Sequence, residues 1–231
     1  MFQPLVVAVD GSAVSWHAVP VAARMAATVD GKLEVVTVVD RLADITAAQR
    51  SLVEGIEQLG ALAVEPMYQV LASDSVAVAI SDHLDTLTGG MVVMSSHGHG
   101  RSAAVLGSVT DELLRRTYGP IIVVGPHASP AAGALDGAYV VPLDGSPRGE
   151  VILPIAGAWT VEFGGTPWVI EVLDTIGAPT GDVFESAYVG RAAHDMQSLI
   201  GHAVEFETLH GERPSRVIVD FADRLGASLM F

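Results

Sequence analysis

Val6-Val7-Ala8-Val9-Asp10-Gly11-Ser12 returns as Val140-Val141-Pro142-Leu143-Asp144-Gly145-Ser146, a constant shift of 134 residues. A β-branched run that ends in Asp-Gly-Ser reads as a buried strand, a tight turn and a serine placed to cap the next helix. The correspondence continues outward. Pro20 follows Ser12 as Pro154 follows Ser146, and Val38-Val39-Asp40 aligns with Val172-Leu173-Asp174 at the same shift. Agreement at three separated places marks an internal repeat.

Within the first copy, Trp16, Val19, Ala23 and Ala26 have helical spacing, and Pro20 is expected to kink that helix by removing a backbone donor. The pattern then predicts a strand over Leu33–Val39, a helix from about Asp44 to Leu62, a strand over Met67–Leu71 and a helix capped near Ser73 or Asp74. A strand over Met91–Met94, a glycine-bearing loop over Ser95–Leu106, a helix over Ser108–Thr117 and a last strand over Ile121–Val124 complete it. Strands alternating with helices give an α/β fold, an open parallel sheet with helices on both faces, Rossmann-like in layout. Ligands in such sheets bind beyond the carboxyl ends of the strands.

We expect residues 1–126 to form the complete unit, 127–136, rich in Ala, Pro and Gly, to be a linker, and 137–231 to form the second unit. The second copy repeats the early elements, with strands over Pro167–Leu173 and Val204–Leu209 and a helix over about Ser215–Leu225. Its final residues align with Met91 and Val93, so this copy is truncated and lacks the glycine loop, the last helix and the last strand.

Half of the residues are hydrophobic and 17% are charged, so a whole-chain description as disordered fails. Formal net charge is −15 and Lys32 is the only lysine, which leaves no basic surface for nucleic acid. The same field repels a phosphate unless backbone N–H groups or a metal ion concentrate positive potential locally. With no cysteine, disulfides and thiolate chemistry are excluded. Met1–Asp10 lacks the basic start and apolar stretch of a signal peptide, so the expected location is cytoplasmic. The apolar stretch Val151–Val161 holds Pro154 and Gly157 and is far short of the ~20 residues that span a bilayer.

Three segments converge on one sheet edge: Asp10-Gly11-Ser12, Ser95-Ser96-His97-Gly98-His99-Gly100, and Gly107-Ser108-Val109-Thr110 at a helix start. Glycines permit close backbone approach, and a helix N-terminus offers unpaired N–H groups, a combination that favours phosphate. An ordinary turn and N-cap would use the same residues. Asp10 reads equally as a turn-forming acid, since it recurs as Asp144. His97 and His99 lack a third ligand nearby in sequence, and loop histidines are the plainer reading.

The strand ending in Val-Asp-Gly-Ser, the Ser-His-Gly loop, Gly107-Ser108-Val109-Thr110 and the closing Pro120-Ile121-Ile122-Val123-Val124 together resemble the universal stress protein family. ATP-binding members carry Gly-x2-Gly-x9-Gly-Ser/Thr. Here Gly98, Gly107 and Ser108 match, Ser95 replaces the first glycine, and eight residues rather than nine separate Gly98 from Gly107. The resemblance implies an adenine nucleotide alpha hydrolase-like fold, with Ala8, Val9 and Asp10 at adenine and ribose and Val38 lining the base pocket. It implies that Met94, Ser95, His97 and Gly98 wrap the ribose and α-phosphate, and that Gly107, Ser108, Val109 and Thr110 hold the outer phosphates. ATP would bring a magnesium or manganese ion bridged by its phosphates.

Ser95 adds a Cβ where the backbone would approach the ligand, and the shorter loop moves the phosphate donors. Three readings follow: an adenine-nucleotide-binding stress-response module, a nucleotide-free interaction or dimerisation scaffold, and a slow ATP hydrolase. Hydrolysis has the least support, for there is no Gly-x4-Gly-Lys-Ser/Thr loop, no nucleophile elbow and no lysine near the loop. The apolar strand Ile121–Val124 would be an exposed edge, so a homo-oligomer through it is expected.

Overall fold

The computed structural model describes residues 4–96, 107–117, 119–126, 128–129, 133–173 and 187–231. The chain divides into two compact units, with the boundary between Gly133 and Ala134.

In the first unit, β1 (Leu5–Ala8), β2 (Leu33–Val39), β3 (Met67–Ala72), β4 (Met91–Ser95) and β5 (Ile121–Val124) form one sheet in the order β3-β2-β1-β4-β5. Every pairing is parallel, with Val6 beside Glu34 and Val92, and Met94 beside Val123. Val6, Val7, Val35, Val36, Val92 and Val93 are fully buried. This is why the central strands read as unbroken apolar runs rather than alternating ones. Burying each such side chain contributes on the order of 1.5–3 kcal/mol.

Helices α1 (Ala13–Trp16), α2 (Ala18–Thr28), α3 (Ile45–Gln58), α4 (Val76–Asp85) and α5 (Ser108–Arg116) cover the sheet. The expected kink falls at His17, between α1 and α2. Pro20 has no N–H for the Trp16 carbonyl, and it sits in the first turn of α2 where none is required. The helix expected over 44–62 begins with a 3-10 turn at Leu42–Asp44 and ends at Gln58, since Gly60 takes φ +72° and breaks the repeat. Ser75 caps α4, rather than Ser73 or Asp74, by accepting the Val78 N–H at 3.4 Å; Ser73 accepts the Ser75 N–H at 3.1 Å and shapes the turn before it.

Helices α4 and α5 share one core layer with the sheet, in which Ala77, Ile80, Leu84 and Leu113 meet Val6, Val36, Val92 and Met94. A strand order that reverses between β1 and β4 leaves a crevice beyond their carboxyl ends.

In the second unit, β6 (Ala138–Leu143), β7 (Thr166–Leu173), β8 (Glu205–His210) and β9 (Leu229–Met230) pair in parallel as β8-β7-β6-β9, the order of their first-unit counterparts. Helices α6 (Ile152–Phe163) and α7 (Ala187–Ile200) pack on one core layer, and α8 (Pro214–Leu225) on another with Val140, Ile170 and Leu209. The Tyr139 hydroxyl donates to the Leu135 carbonyl, and Gly165 is required because a Cβ there would stand 2.3 Å from the Tyr139 ring. Among the described residues, no helix is long and apolar enough to cross a membrane.

Candidate functional site

Sheet geometry determines the site. The carboxyl ends of β1, β2 and β4 stop short beneath the starts of α4 and α5, which leaves a cavity of about 410 Å³. Ala8, Val9, Asp10, Val38, Met94, Ser95, Gly107, Ser108, Val109 and Thr110 all line it. His97 and Gly98 lie outside the described residues. Ser15, Val36, Thr37, Val76 and Ile80 also line the cavity. Of these, Val76 and Ile80 had a legible signal, one helical turn apart at the start of α4.

The walls divide by chemistry. Ala8, Val36, Val38, Ile80 and Met94 make an apolar slot, whereas the α5 end presents backbone N–H groups. Asp111 N–H is the first in α5 to find a carbonyl, that of Gly107 at 2.9 Å. The amides of Ser108, Val109 and Thr110 meet no acceptor among the described residues. The amide of Gly107 itself donates to the Ser96 carbonyl at 3.1 Å, so this one of the expected phosphate donors is already engaged. Gly107 occupies the N-cap position and has no side chain to satisfy the amides that follow it. Thr110 is 2% exposed and lines the cavity.

Asp10 lines the cavity at the end of β1. Its Oδ1 accepts from the Ser12 amide at 2.9 Å and the Ser12 hydroxyl at 2.6 Å, while Ser12 Oγ accepts the Ser15 N–H at 3.1 Å and caps α1. Thr37 Oγ1 donates to the Val9 carbonyl at 2.9 Å, fixing β1 and β2 where they meet the cavity. A second cavity of about 460 Å³, between α1 and α3, shares Val9, Asp10 and Thr37 and adds Trp16, Ser51, Glu54 and Gln58.

The corresponding edge of the second unit has the opposite character. Asp144 repeats the Asp10 turn, accepting from the Ser146 amide at 2.9 Å. At the register of Thr37, however, stands Glu171, one of whose oxygens is buried without a partner among the described residues. Burial, helped by Glu150, Glu171 and Asp144, pushes the Tyr188 phenol up to about 12.

The sequence matches the universal stress protein family over residues 1–125. The chain belongs to that family. Among solved structures, a universal stress protein from Archaeoglobus fulgidus is 19% identical, with a TM-score of 0.65 over 98% of this chain and 85% of its own. A protein described as a putative universal stress protein from Pseudomonas aeruginosa is 18% identical, with a TM-score of 0.66 over 99% of this chain and 81% of its own. At these identities the likeness is one of fold, and it spans both units. A universal stress protein in complex with cAMP is 26% identical over 54% of this chain and 98% of its own, with a TM-score of 0.44. No curated protein matches the sequence.

Proposed function

We propose that the first unit binds an adenine nucleotide, ATP by preference, and that the chain is a non-catalytic stress-response regulatory module. The observation that carries this reading is the cluster of unmet backbone donors beside the apolar part of the cavity. The Ser108, Val109 and Thr110 amides lie beside a slot walled by Val36, Val38, Ile80 and Met94. Amides at a helix start attract phosphate, and the apolar slot suits a flat base. In a chain of net charge −15, this local potential is what makes an anion tolerable.

In this reading Asp10, spent partly on Ser12, takes the ribose. A magnesium or manganese ion is carried by the phosphates, for no group of three or more His, Cys, Asp or Glu side chains fit to hold a metal occurs among the described residues. The second unit takes no nucleotide, because Asp144, Glu150 and Glu171 surround the equivalent edge with negative charge. The strand β5 is an edge of its sheet with Val123 37% exposed, and it pairs with a second copy to form a homo-oligomer.

One observation favours the scaffold reading: the Gly107 amide is already bonded to Ser96. Titration calorimetry with ATP, ADP and AMP in the presence of magnesium separates the two. The proposal expects saturable heat near one nucleotide per chain, and absence of heat for all three at about 1 mM, where even weak binding of about −4 kcal/mol registers, leaves the scaffold. A turnover assay on the bound nucleotide tests the slow hydrolase.

A further inference from the structure

The internal repeat supplies a comparison for the Asp10 turn within the same chain. At the shift of 134, Asp10, Gly11, Ser12 and Ser15 correspond to Asp144, Gly145, Ser146 and Gly149. The two turns are bonded alike. Gly11 and Gly145 take φ +82° and +77°. The aspartate Oδ1 accepts the serine N–H at 2.9 Å in both, and the serine Oγ accepts the N–H three residues on, that of Ser15 at 3.1 Å and that of Gly149 at 3.0 Å. They part at that last residue, a serine in one turn and a glycine in the other.

Ser15 is 3% exposed and lines the cavity. Its hydroxyl donates to the Ser12 carbonyl at 2.9 Å and accepts the Asp10 N–H at 3.2 Å. Gly149 has no side chain to do the same. A Cβ on it would stand 2.7 Å from Asp144 Oδ1, closer than real Cβ atoms approach, so the Asp144 carboxylate occupies space that a side chain here would claim. That carboxyl is held below the usual range by Ser146 first and, as a lesser cause, by its own backbone N–H, the counterpart of the amide that Ser15 takes from Asp10. Since Ser15 carries a Cβ, the Asp10 carboxylate cannot lie where that of Asp144 lies.

We infer that Ser15 is a positioning residue of the nucleotide site: its Cβ keeps the Asp10 carboxylate from folding back onto the turn, and its Oγ takes the amide that the carboxylate would otherwise meet. The carboxylate is thereby held at the cavity wall, where it accepts from the cis-diol of a ribose. A carboxylate has about four acceptor sites, so the bonds from Ser12 do not exclude a ligand hydroxyl. The inference rests on the adenine-nucleotide reading of the cavity and adds a sugar preference, ribose over deoxyribose, set by Ser15 acting through Asp10. A site built to bond a hydroxyl rejects the analogue that lacks it, because the site's own polar group is left unpaired. In the second unit Gly149 removes this arrangement, and Asp144 serves its own turn.

Affinities of the full chain for ATP, 2′-deoxy-ATP and 3′-deoxy-ATP, measured by titration calorimetry, test this. The parent should bind ATP at least about tenfold more tightly than one of the deoxy analogues, the worth of one charge-assisted hydrogen bond. Ser15→Gly should weaken ATP binding about tenfold and bring that analogue level with ATP. Ser15→Ala, which keeps the Cβ, should retain the preference. A parent that binds ATP and both analogues equally, a Ser15→Gly variant whose preference is intact, or a Ser15→Ala variant that behaves as Ser15→Gly overturns the proposal.

A second arm needs no nucleotide and also stands if Ser15→Gly, at a buried position, does not fold. Gly149 opens the 3-10 turn Gly149–Val151 without a positive φ, so Gly149→Ala fits the backbone and must displace the Asp144 carboxylate. The Asp144 titration, followed by carboxyl carbon NMR, should then rise toward the ordinary value of about 3.9. An unmoved titration overturns the placement even where ATP binds. A parent that binds no ATP defeats the nucleotide reading and the sugar preference with it, while the Asp144 titration still decides the placement.

Discussion

The Gly107 amide donates to the Ser96 carbonyl at 3.1 Å, tying the start of α5 to the end of β4 by a backbone bond. The next three amides are thus held at the cavity by the sheet itself rather than by a side chain. This makes the site sensitive to what is placed at the N-cap.

Gly107 has φ −61° and ψ 146°, a conformation open to any residue, and a Cβ there would have an ordinary contact of 3.5 Å with Thr110 Oγ1. Gly107→Asp should cap α5 and stabilise it by a few tenths of a kcal/mol, raising the melting temperature by about 1–2 °C. The new carboxylate would occupy the amides, so ATP affinity should fall at least about tenfold, or ~1.4 kcal/mol. Calorimetry and thermal melting on the same sample measure both, and a variant that binds ATP as before would remove α5 from the site.

Thr110→Val keeps shape and removes the hydroxyl. Because Thr110 lines the cavity, ATP affinity should drop by about 1 kcal/mol, roughly fivefold, while stability should hold. A clear loss of stability in urea would mean that the hydroxyl serves the fold instead.

His83 on α4 and Glu34 on β2 form a pair 2.9 Å apart with side chains 11% and 10% exposed. His83→Leu should cost about 3 kcal/mol in urea unfolding because it leaves a buried carboxylate alone, and adding Glu34→Leu should recover much of it. Since α4 also carries Val76 and Ile80 to the cavity, nucleotide affinity should fall in the single variant and recover in the double.

The Ser146 hydroxyl and amide hold the Asp144 carboxyl below the usual carboxylate range. A depressed folded-state pKa contributes stability above the unfolded value of about 3.9, and the contribution is lost as pH falls through the folded value. Ser146→Ala should move the Asp144 titration, followed by carboxyl carbon NMR, upward toward that ordinary value. The variant should melt lower than the parent throughout, because the Gly149 N–H also loses its Ser146 Oγ acceptor at 3.0 Å, and the difference should narrow in acid. An unmoved titration would assign the shift to the backbone amide alone.

The strands were legible because β-branched runs end at Gly, Pro or Asp; Ile121–Val124 is read from Pro120 and Gly125 with no ambiguity. The end of α3 was not, since Leu59 and Leu62 continue a helical pattern that the positive φ of Gly60 interrupts. Ser75 rather than Ser73 caps α4 because three nearby candidates compete, and only the turn geometry chooses between them. The site followed the same division. Contiguous segments around Asp10, Ser95 and Gly107 could be found in sequence, whereas Val36 and Ile80 reach the cavity from β2 and α4 through sheet order. The Gly107–Ser96 bond joins residues eleven apart in the chain and left no signal in the sequence.

Amide NMR of the ¹⁵N-labelled chain titrated with ATP and then with adenosine tests the central claim most directly. The account predicts that the Ser108, Val109 and Thr110 resonances move with ATP and stay with adenosine, while those of Gly145 and Ser146 stay with both. Resonances at 108–110 that remain still through saturating ATP, or that move equally with adenosine, would contradict it.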